Sequence, residues 1–293
     1  MKVLISFCNP QLESINKNLL ILDLKNEKSE YLLETKDGLT GITQDNNFFY
    51  ALSQDSKIYI IDRNSHKLIL NKKLENLLDP HSLFIEGDEL FIVSTGNNEI
   101  LKYKISKDRL GIDFAEVFWK HYAVNNEIGD IYHINSIFKE KKSIYITAFG
   151  LKDGDRWSSA KNGHIFNITE NKKEINNIYH PHSLFIKDGK KYYCESASQA
   201  IKEGNNVIVK LKSGYVRGLS LDKKYLIFGV SGGRKISKST GILNEVAETG
   251  LMEANCKILV FKKKLFFGGY KTMKEFNFFP NHTEIYDILI IDK

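Results

Sequence analysis

The chain has 293 residues, of which 42% are hydrophobic and 12% aromatic, with four prolines and twenty glycines. That length carries one large all-β domain or two average domains, and that composition excludes a disordered, low-complexity or collagen-like chain. The net charge of +6 is a surplus of 42 basic over 36 acidic residues, spread in short clusters such as Lys262-Lys263-Lys264, which excludes the concentrated basic stripe with aromatic platforms of a nucleic-acid binder.

The N-terminal run "MKVLISFCNP" is too short for a signal peptide, and no stretch approaches 18 consecutive apolar residues. Both predict a cytoplasmic chain without a membrane span. Cys8, Cys194 and Cys256 are odd in number, widely spaced and outside any CxxC pair, which predicts reduced, buried thiols.

Taken in chain order, short runs rich in Ile, Val, Tyr and Phe are broken by Asn, Asp, Gly and Lys. They open with "KVLISFC", "NLLILDL" and "EYLLET", and continue through "FFYALSQ", "FIVSTG", "SIYITAFG", "YYCES" and "YLIFGVSGG". A helical period of more than about two turns is suggested only around Ser239–Glu253, so the reading is all-β.

A repeat underlies these runs. "PHSLFI" occurs twice, with His81 and His182 as its histidines. Three further segments carry an anchor residue followed by a small one and then Leu or Ile: Thr40-Gly41-Ile42, Asn135-Ser136-Ile137 and Arg217-Gly218-Leu219. Thirteen residues lead from His81 to Ser94, from Asn135 to Ala148 and from His182 to Glu195. Twelve lead from Thr40 to Leu52 and from Arg217 to Gly229. The same count of 13 carried from Tyr286 through the C-terminus and on from Met1 lands on Ser6. The last strand therefore belongs beside the first, which removes the exposed sheet edges of an open array. The prediction is a single six-bladed β-propeller over 1–293, with blades at roughly 284–293 plus 1–36, 37–76, 78–122, 131–179, 180–213 and 214–280. The inserts Leu151–Gly163 and Arg234–Asn255 are loop or lid candidates.

In a propeller the first strand of each blade lines the axis, and its period of two sends alternate residues inward. The anchors Thr40, His81, Asn135, His182, Arg217 and Tyr286 form one expected ring. Gly38, Asp79, His133, His180, Tyr215 and Glu284 form a second, two residues earlier. Glu195 and Ser196 fall at the end of a second strand, where other blades carry mostly small residues. Ionisable groups are costly to bury unless paired or used. This convergence predicts a functional site. His66, His121, His164 and His282 lack such partners and read as structural or solvated.

The motifs "HINSIFKEKKSIYITAFG", "PHSLFIKDGKKYYCESASQ", "GYVRGLSLDKKYLIFGVSGGRK" and "EIYDILII" resemble those of a widespread bacterial family of uncharacterised propellers. The resemblance is clearest from His133 onward. It implies that the family's motif positions fall on His133, Asn135, Pro181, His182, Ser183, Glu195, Ser196, Arg217, Gly218, Glu284, Tyr286 and Asp287, with Trp157 in the insert. The architecture is more distantly similar to gluconolactonase-like and paraoxonase-like propellers, which hold a metal in the funnel. The chain lacks their Asn/Asp-rich ligand set.

Three functions are open at this point. An enzyme of the hydrolase, lyase or isomerase kind would act on a small anionic, sugar-like or lactone-like molecule. Glu195, His182 and Tyr286 would then be catalytic, and Arg217, Asn135, Ser196, Trp157 and Glu284 would bind substrate. Either one divalent metal, Zn, Mn or Fe rather than Ca, would sit on His133, His182 and His81, or, without a metal, His182 and Glu195 would form the acid/base pair. Alternatively the funnel binds a polar small molecule or glycan without turning it over. In the third reading the rim is a protein-interaction scaffold. No nucleic-acid or membrane partner is expected.

Overall fold

The apolar runs become strands and the Asn, Asp and Gly breaks become turns. The computed structural model describes residues 1–9, 16–121, 129–232, 241, 256–264 and 269–291. The described residues form 24 strands in six four-stranded antiparallel sheets. The first sheet contains β1 (Lys2–Cys8), β2 (Lys17–Asp23) and β3 (Lys28–Glu34). The second is β4 (Leu39–Gln44), β5 (Phe48–Ser53), β6 (Lys57–Asp62) and β7 (Leu68–Lys73). The third is β8 (Pro80–Glu86), β9 (Glu89–Ser94), β10 (Glu99–Ile105) and β11 (Ile112–Lys120). The fourth is β12 (Ile134–Glu140), β13 (Ser143–Ala148), β14 (Gly163–Asn167) and β15 (Lys172–Ile178). The fifth is β16 (Pro181–Lys187), β17 (Lys190–Glu195), β18 (Ala200–Glu203) and β19 (Asn206–Lys210). The sixth is β20 (Tyr215–Leu221), β21 (Tyr225–Ser231), β22 (Cys256–Lys263) and β23 (Tyr270–Asn277). The last strand, β24 (Glu284–Ile291), pairs with β1 from Lys2↔Ile291 to Cys8↔Glu284 and closes the ring. The fold is the six-bladed propeller that the sequence predicts. The stretch 239–253 lies outside the described residues apart from 241. No helix among the described residues is long and apolar enough to cross a membrane.

The core is divided among the blade interfaces. Phe49 and Ala51 of β5 pack with Leu4, Leu19 and Ile21 of the first blade. Tyr50 and Leu52, on the other face of the same strand, pack with Leu90, Ile92 and Leu101 of the third. The other interfaces follow the same rule, giving six apolar clusters for six pairs of neighbouring blades among the described residues. A strand covered on both faces reads as a continuous apolar run rather than an alternation. This is why "KVLISFC", "FIVS" and "YLIFGV" contain so few polar residues. Cys194 and Cys256 lie in these interfaces, Cys8 is buried with its thiol donating to Glu284 Oε2, and none of the three is in a disulfide. Burial pushes the Cys194 thiol well above its ordinary range, so it is no nucleophile at neutral pH.

The repeated anchor has a local structural cause. In all six inner strands the pairing register breaks at or beside the anchor. Each break is a bulge that bends the strand around the axis. The small residue after the anchor then serves the next blade. Ser82 Oγ accepts from Ile137 N–H, Ser136 Oγ from Leu184 N–H and Ser183 Oγ from Gly218 N–H. Asp287 Oδ2 accepts from Ile42 N–H across the closure. At Gly41 the neighbour comes too near for any side chain, since a Cβ would lie 2.8 Å from His81 O. Gly218 has φ +62° and a similar approach of about 3.0 Å to Ile288 N, a conformation and a clearance that glycine alone meets without strain.

Candidate functional site at the axis

Three inner strands are entered through left-handed residues: Asp79 (φ 46°), His133 (φ 48°) and His180 (φ 53°). Each costs about 1–2 kcal/mol for a non-glycine residue. The turn brings the His133 and His180 side chains beside the anchors. The side chains then close a ring about the axis. His133 meets His81 edge-on at 4.9 Å, and His81 meets Tyr286 at 5.7 Å. The Arg217 guanidinium lies 5.3 Å from the Tyr286 ring and 5.0 Å from the Tyr215 ring. Tyr215 meets His182 at 5.5 Å, His182 meets Phe149 at 5.0 Å, and Phe149 returns to His133 at 4.4 Å. Trp157, from the insert predicted as a lid, packs on His133 at 4.6 Å.

Hydrogen bonds fix how each histidine presents itself. His182 Nδ1 lies 2.9 Å from Ser196 Oγ and 3.2 Å from His180 O. The Ser196 hydroxyl donates to Val216 O at 2.5 Å, so it has no hydrogen left for the imidazole, and a carbonyl has none to give. His182 therefore carries its proton on Nδ1 and a lone pair on Nε2. Burial, and next the Arg217 charge, hold its pKa well below the ordinary 6.5, so it is neutral. His182 Nε2 is buried without a hydrogen-bond partner. His81 repeats the pattern, its Nδ1 donating to Asp79 O at 2.9 Å, and burial lowers its pKa to about 4. His133 Nδ1 donates to Asp130 Oδ2 at 2.6 Å. His180 differs. Its Nε2 faces Trp157 O at 2.8 Å and its Nδ1 faces Tyr215 OH at 3.1 Å, so both nitrogens are used. The Tyr286 hydroxyl is buried without a partner and protonated, its pKa raised by burial against the opposing pull of Arg217.

The other expected residues divide by their partners. Glu284 accepts from Asn9 Nδ2 at 3.1 Å and faces Arg217 at 3.9 Å. Asn135 Oδ1 accepts from Thr147 and its amide donates to His133 O, so it is held rigid at the axis. Ser196 staples the fifth blade to the sixth through Val216, as Ser6 staples the first to the second through Thr40 O. Glu195 stands opposite Pro181, one residue off His182, and binds Tyr179 N–H at 3.1 Å and Lys202 Nζ at 3.0 Å. The structure thus brings His182 together with Ser196 rather than with Glu195.

The residue types suit a metal, since an oxygen on Nδ1 is how ligating histidines are held. His81 and His133 meet, and His133 and His182 both pack on Phe149. Among the described residues no group of three or more His, Cys, Asp or Glu is placed to hold a metal ion. The site was only partly legible in the sequence. Phe149 and Asp130 were missed, although Phe149 directly follows the Ala148 slot and Asp130 precedes His133 by three residues.

Residues 42–293 match a domain of unknown function, DUF4915. The chain belongs to the DUF4915 family. Its matched region holds five of the six anchors, Thr40 alone falling before it. No curated protein matches the sequence. Solved structures similar to this DUF4915 chain include a nidogen–laminin complex, with 12% identity over 98% of this chain and 97% of that one and a TM-score of 0.62. A candidate 6-phosphogluconolactonase from Bacteroides fragilis follows, with 14% identity over 99% and 98% and a TM-score of 0.59. A luciferin-regenerating enzyme has 11% identity over 82% and 76% and a TM-score of 0.55. These likenesses are of fold. A nidogen–laminin complex stands among them beside a candidate lactonase and a luciferin-regenerating enzyme, so the fold leaves the activity open.

Proposed function

We propose that the axial ring is the active site of an enzyme acting on a small anionic, sugar-like or lactone-like molecule. One observation carries the reading. A neutral His182 with its lone pair on Nε2, a protonated Tyr286 and the Arg217 cation lie in one chain of contacts, built from three different blades. Arg217 holds the carboxylate or phosphate of the substrate. His182 Nε2 accepts a proton, either from carbon next to an acyl group or from water attacking a lactone. The Tyr286 hydroxyl donates its hydrogen bond to the oxygen on which charge develops. Glu284 accepts from a substrate hydroxyl. Hydrolysis, β-elimination and isomerisation share these needs. Glu195 takes no part in this scheme, because Lys202 and the Tyr179 amide hold its carboxylate.

A propeller that binds such a molecule without turnover is the second reading. The depressed basicity of His182 favours it, since a weak base transfers protons poorly.

The test is a turnover panel of aldonolactones, uronates and phosphorylated sugar acids. The wild type is compared with His182→Gln and Arg217→Lys. The expectation is turnover of at least one class, a loss of about 10²-fold or more in kcat for His182→Gln, and a rise mainly in KM for Arg217→Lys. Binding without turnover, equal in wild type and His182→Gln, would establish the second reading. One equivalent of Zn, Mn or Fe retained after gel filtration and lost in His133→Ala would replace acid–base chemistry with metal-assisted chemistry.

A further inference from the structure

Beyond the histidine ring, toward the other ends of the inner strands, the axis opens into a cavity of about 440 Å³. Asn135, His182 and Tyr286 form its inner end, and Glu86, Lys139 and Lys141 stand at the outer one. Three features of its wall point to one kind of ligand.

The first is Asp287. In the other five blades the residue after the anchor is Gly or Ser, and serine is enough to bond the next strand. Here it is a carboxylate. Its oxygens accept from Ile42 N–H at 3.2 Å and from Ile288 N–H at 2.9 Å, which leaves further lone pairs unused. Asp287 lies deep in the molecule, yet it keeps accessible surface because it faces the cavity. Burial raises its pKa to about 7, so an ionised Asp287 lacks a compensating charge.

The second is the distribution of charge. The cations in the lining are Lys139, which pairs with Glu86, and Lys141 on the outer turn. Both are at the outer end. Among the described residues the deep wall therefore carries no cation. The third is an aromatic collar. Phe84, Phe138 and Phe185, from three consecutive blades, line the cavity and are each half-buried. Phe138 and Phe185 stand 5.1 Å apart. A deep carboxylate in a cavity whose wall also carries aromatic rings suits a cation with an apolar body.

We propose that the axial cavity is a second binding site, adjoining the anion-holding ring at His182 and Tyr286, for a small protonated amine whose ammonium pairs with Asp287 and whose apolar body lies against Phe84, Phe138 and Phe185. The structural alternative is that Asp287 is only a longer serine closing the last blade onto the second.

The two differ in a calorimetric titration with benzylamine, benzyl alcohol and benzoate at pH 8, on the wild type and Asp287→Asn. The Asn variant keeps an acceptor for Ile42 and removes the charge. Benzylamine should bind, with the alcohol and the benzoate about tenfold or more weaker, and Asp287→Asn should lose about tenfold or more for the amine alone. At pH 7, binding should also release protons to the buffer, because pairing ionises the remaining protonated Asp287. The other groups around the cavity do not confuse this signal. His182 is neutral and Tyr286 protonated, Cys194 beside Asp287 stays a thiol, and Glu86, Lys139 and Lys141 lie at the outer end. Should Asp287→Asn fail to fold, the alcohol comparison and the proton release in the wild type decide alone. Equal binding of amine and alcohol would overturn the proposal. Amine binding without proton release, undiminished binding in the Asn variant, or no amine binding at millimolar concentration would do the same.

Discussion

His182 shows how a repeat can hide a function. Its neighbours Pro181, Ser183 and Leu184 recur around His81 because both blades need the same bulge and the same small residue after it. The histidine was legible as an axial residue because the position recurs. Its chemistry was not, because that depends on where the single Ser196 hydrogen goes, and no spacing encodes that. Glu195 shows what spacing leaves out: an acid in a slot otherwise filled by mostly small residues reads as catalytic, and its partners in the fold are Lys202 and the Tyr179 amide. The lone pair on Nε2 leads to a pH prediction. A base whose pKa lies well below 6.5 stays active as the pH falls through 6.5. The kcat/KM profile should therefore lack the acid limb near 6.5 that an ordinary histidine gives. A limb there would show that His182 titrates normally.

At the scale of the element, the inner strands carry two sets of contacts. One is the belt of side chains that accept backbone N–H groups from the next blade. Ser183→Ala should leave Gly218 N–H without its acceptor and cost about 1–3 kcal/mol in urea unfolding. Gly218→Ala should cost about as much or more, because its φ of +62° and the close Ile288 backbone leave no room for a methyl group. If either variant unfolds with wild-type midpoint and slope, the belt does not hold the blades. The belt was legible only as "anchor, then small". Its purpose depends on the neighbouring blade, 35 to 55 residues away in sequence and 245 across the closure, which a local pattern does not reveal. The other set is the pairing of β24 with β1. It was legible from the count through the termini, since each inner strand must lie at a fixed offset from its partner.

At the scale of the molecule, buried neutral histidines tie stability to pH. Burial lowers His81, His121, His164 and His282 to about 4 and His180 to about 3 in the folded chain. The unfolded chain holds them near 6.5, so between pH 6.5 and 4 it binds more protons than the fold. Stability should fall through that window by up to about 1.4 kcal/mol per pH unit for each histidine that stays neutral. Asp287 acts in the opposite sense: its pKa of about 7 is raised, so its contribution is lost as the pH rises through 7. The five histidines outweigh it on the acid side. Thermal melts from pH 4.5 to 7.5 should show a steep loss of Tm below 6, and a flat profile would mean that these rings reach water. For His81 and His180 six-fold closure makes the burial possible, because it gathers side chains from five blades into one ring, whereas His121 and His282 are covered by Tyr132 and Phe7.

That ring is the centre of the account, and nitrogen NMR of the histidine side chains tests it most directly. The account predicts that His182 shows a protonated Nδ1 and a bare Nε2 from pH 5.5 to 8, and that its Nε2 signal moves when a sugar acid such as gluconate binds. A His182 that titrates near 6.5, carries its proton on Nε2, or stays still while the sugar acid binds would contradict it.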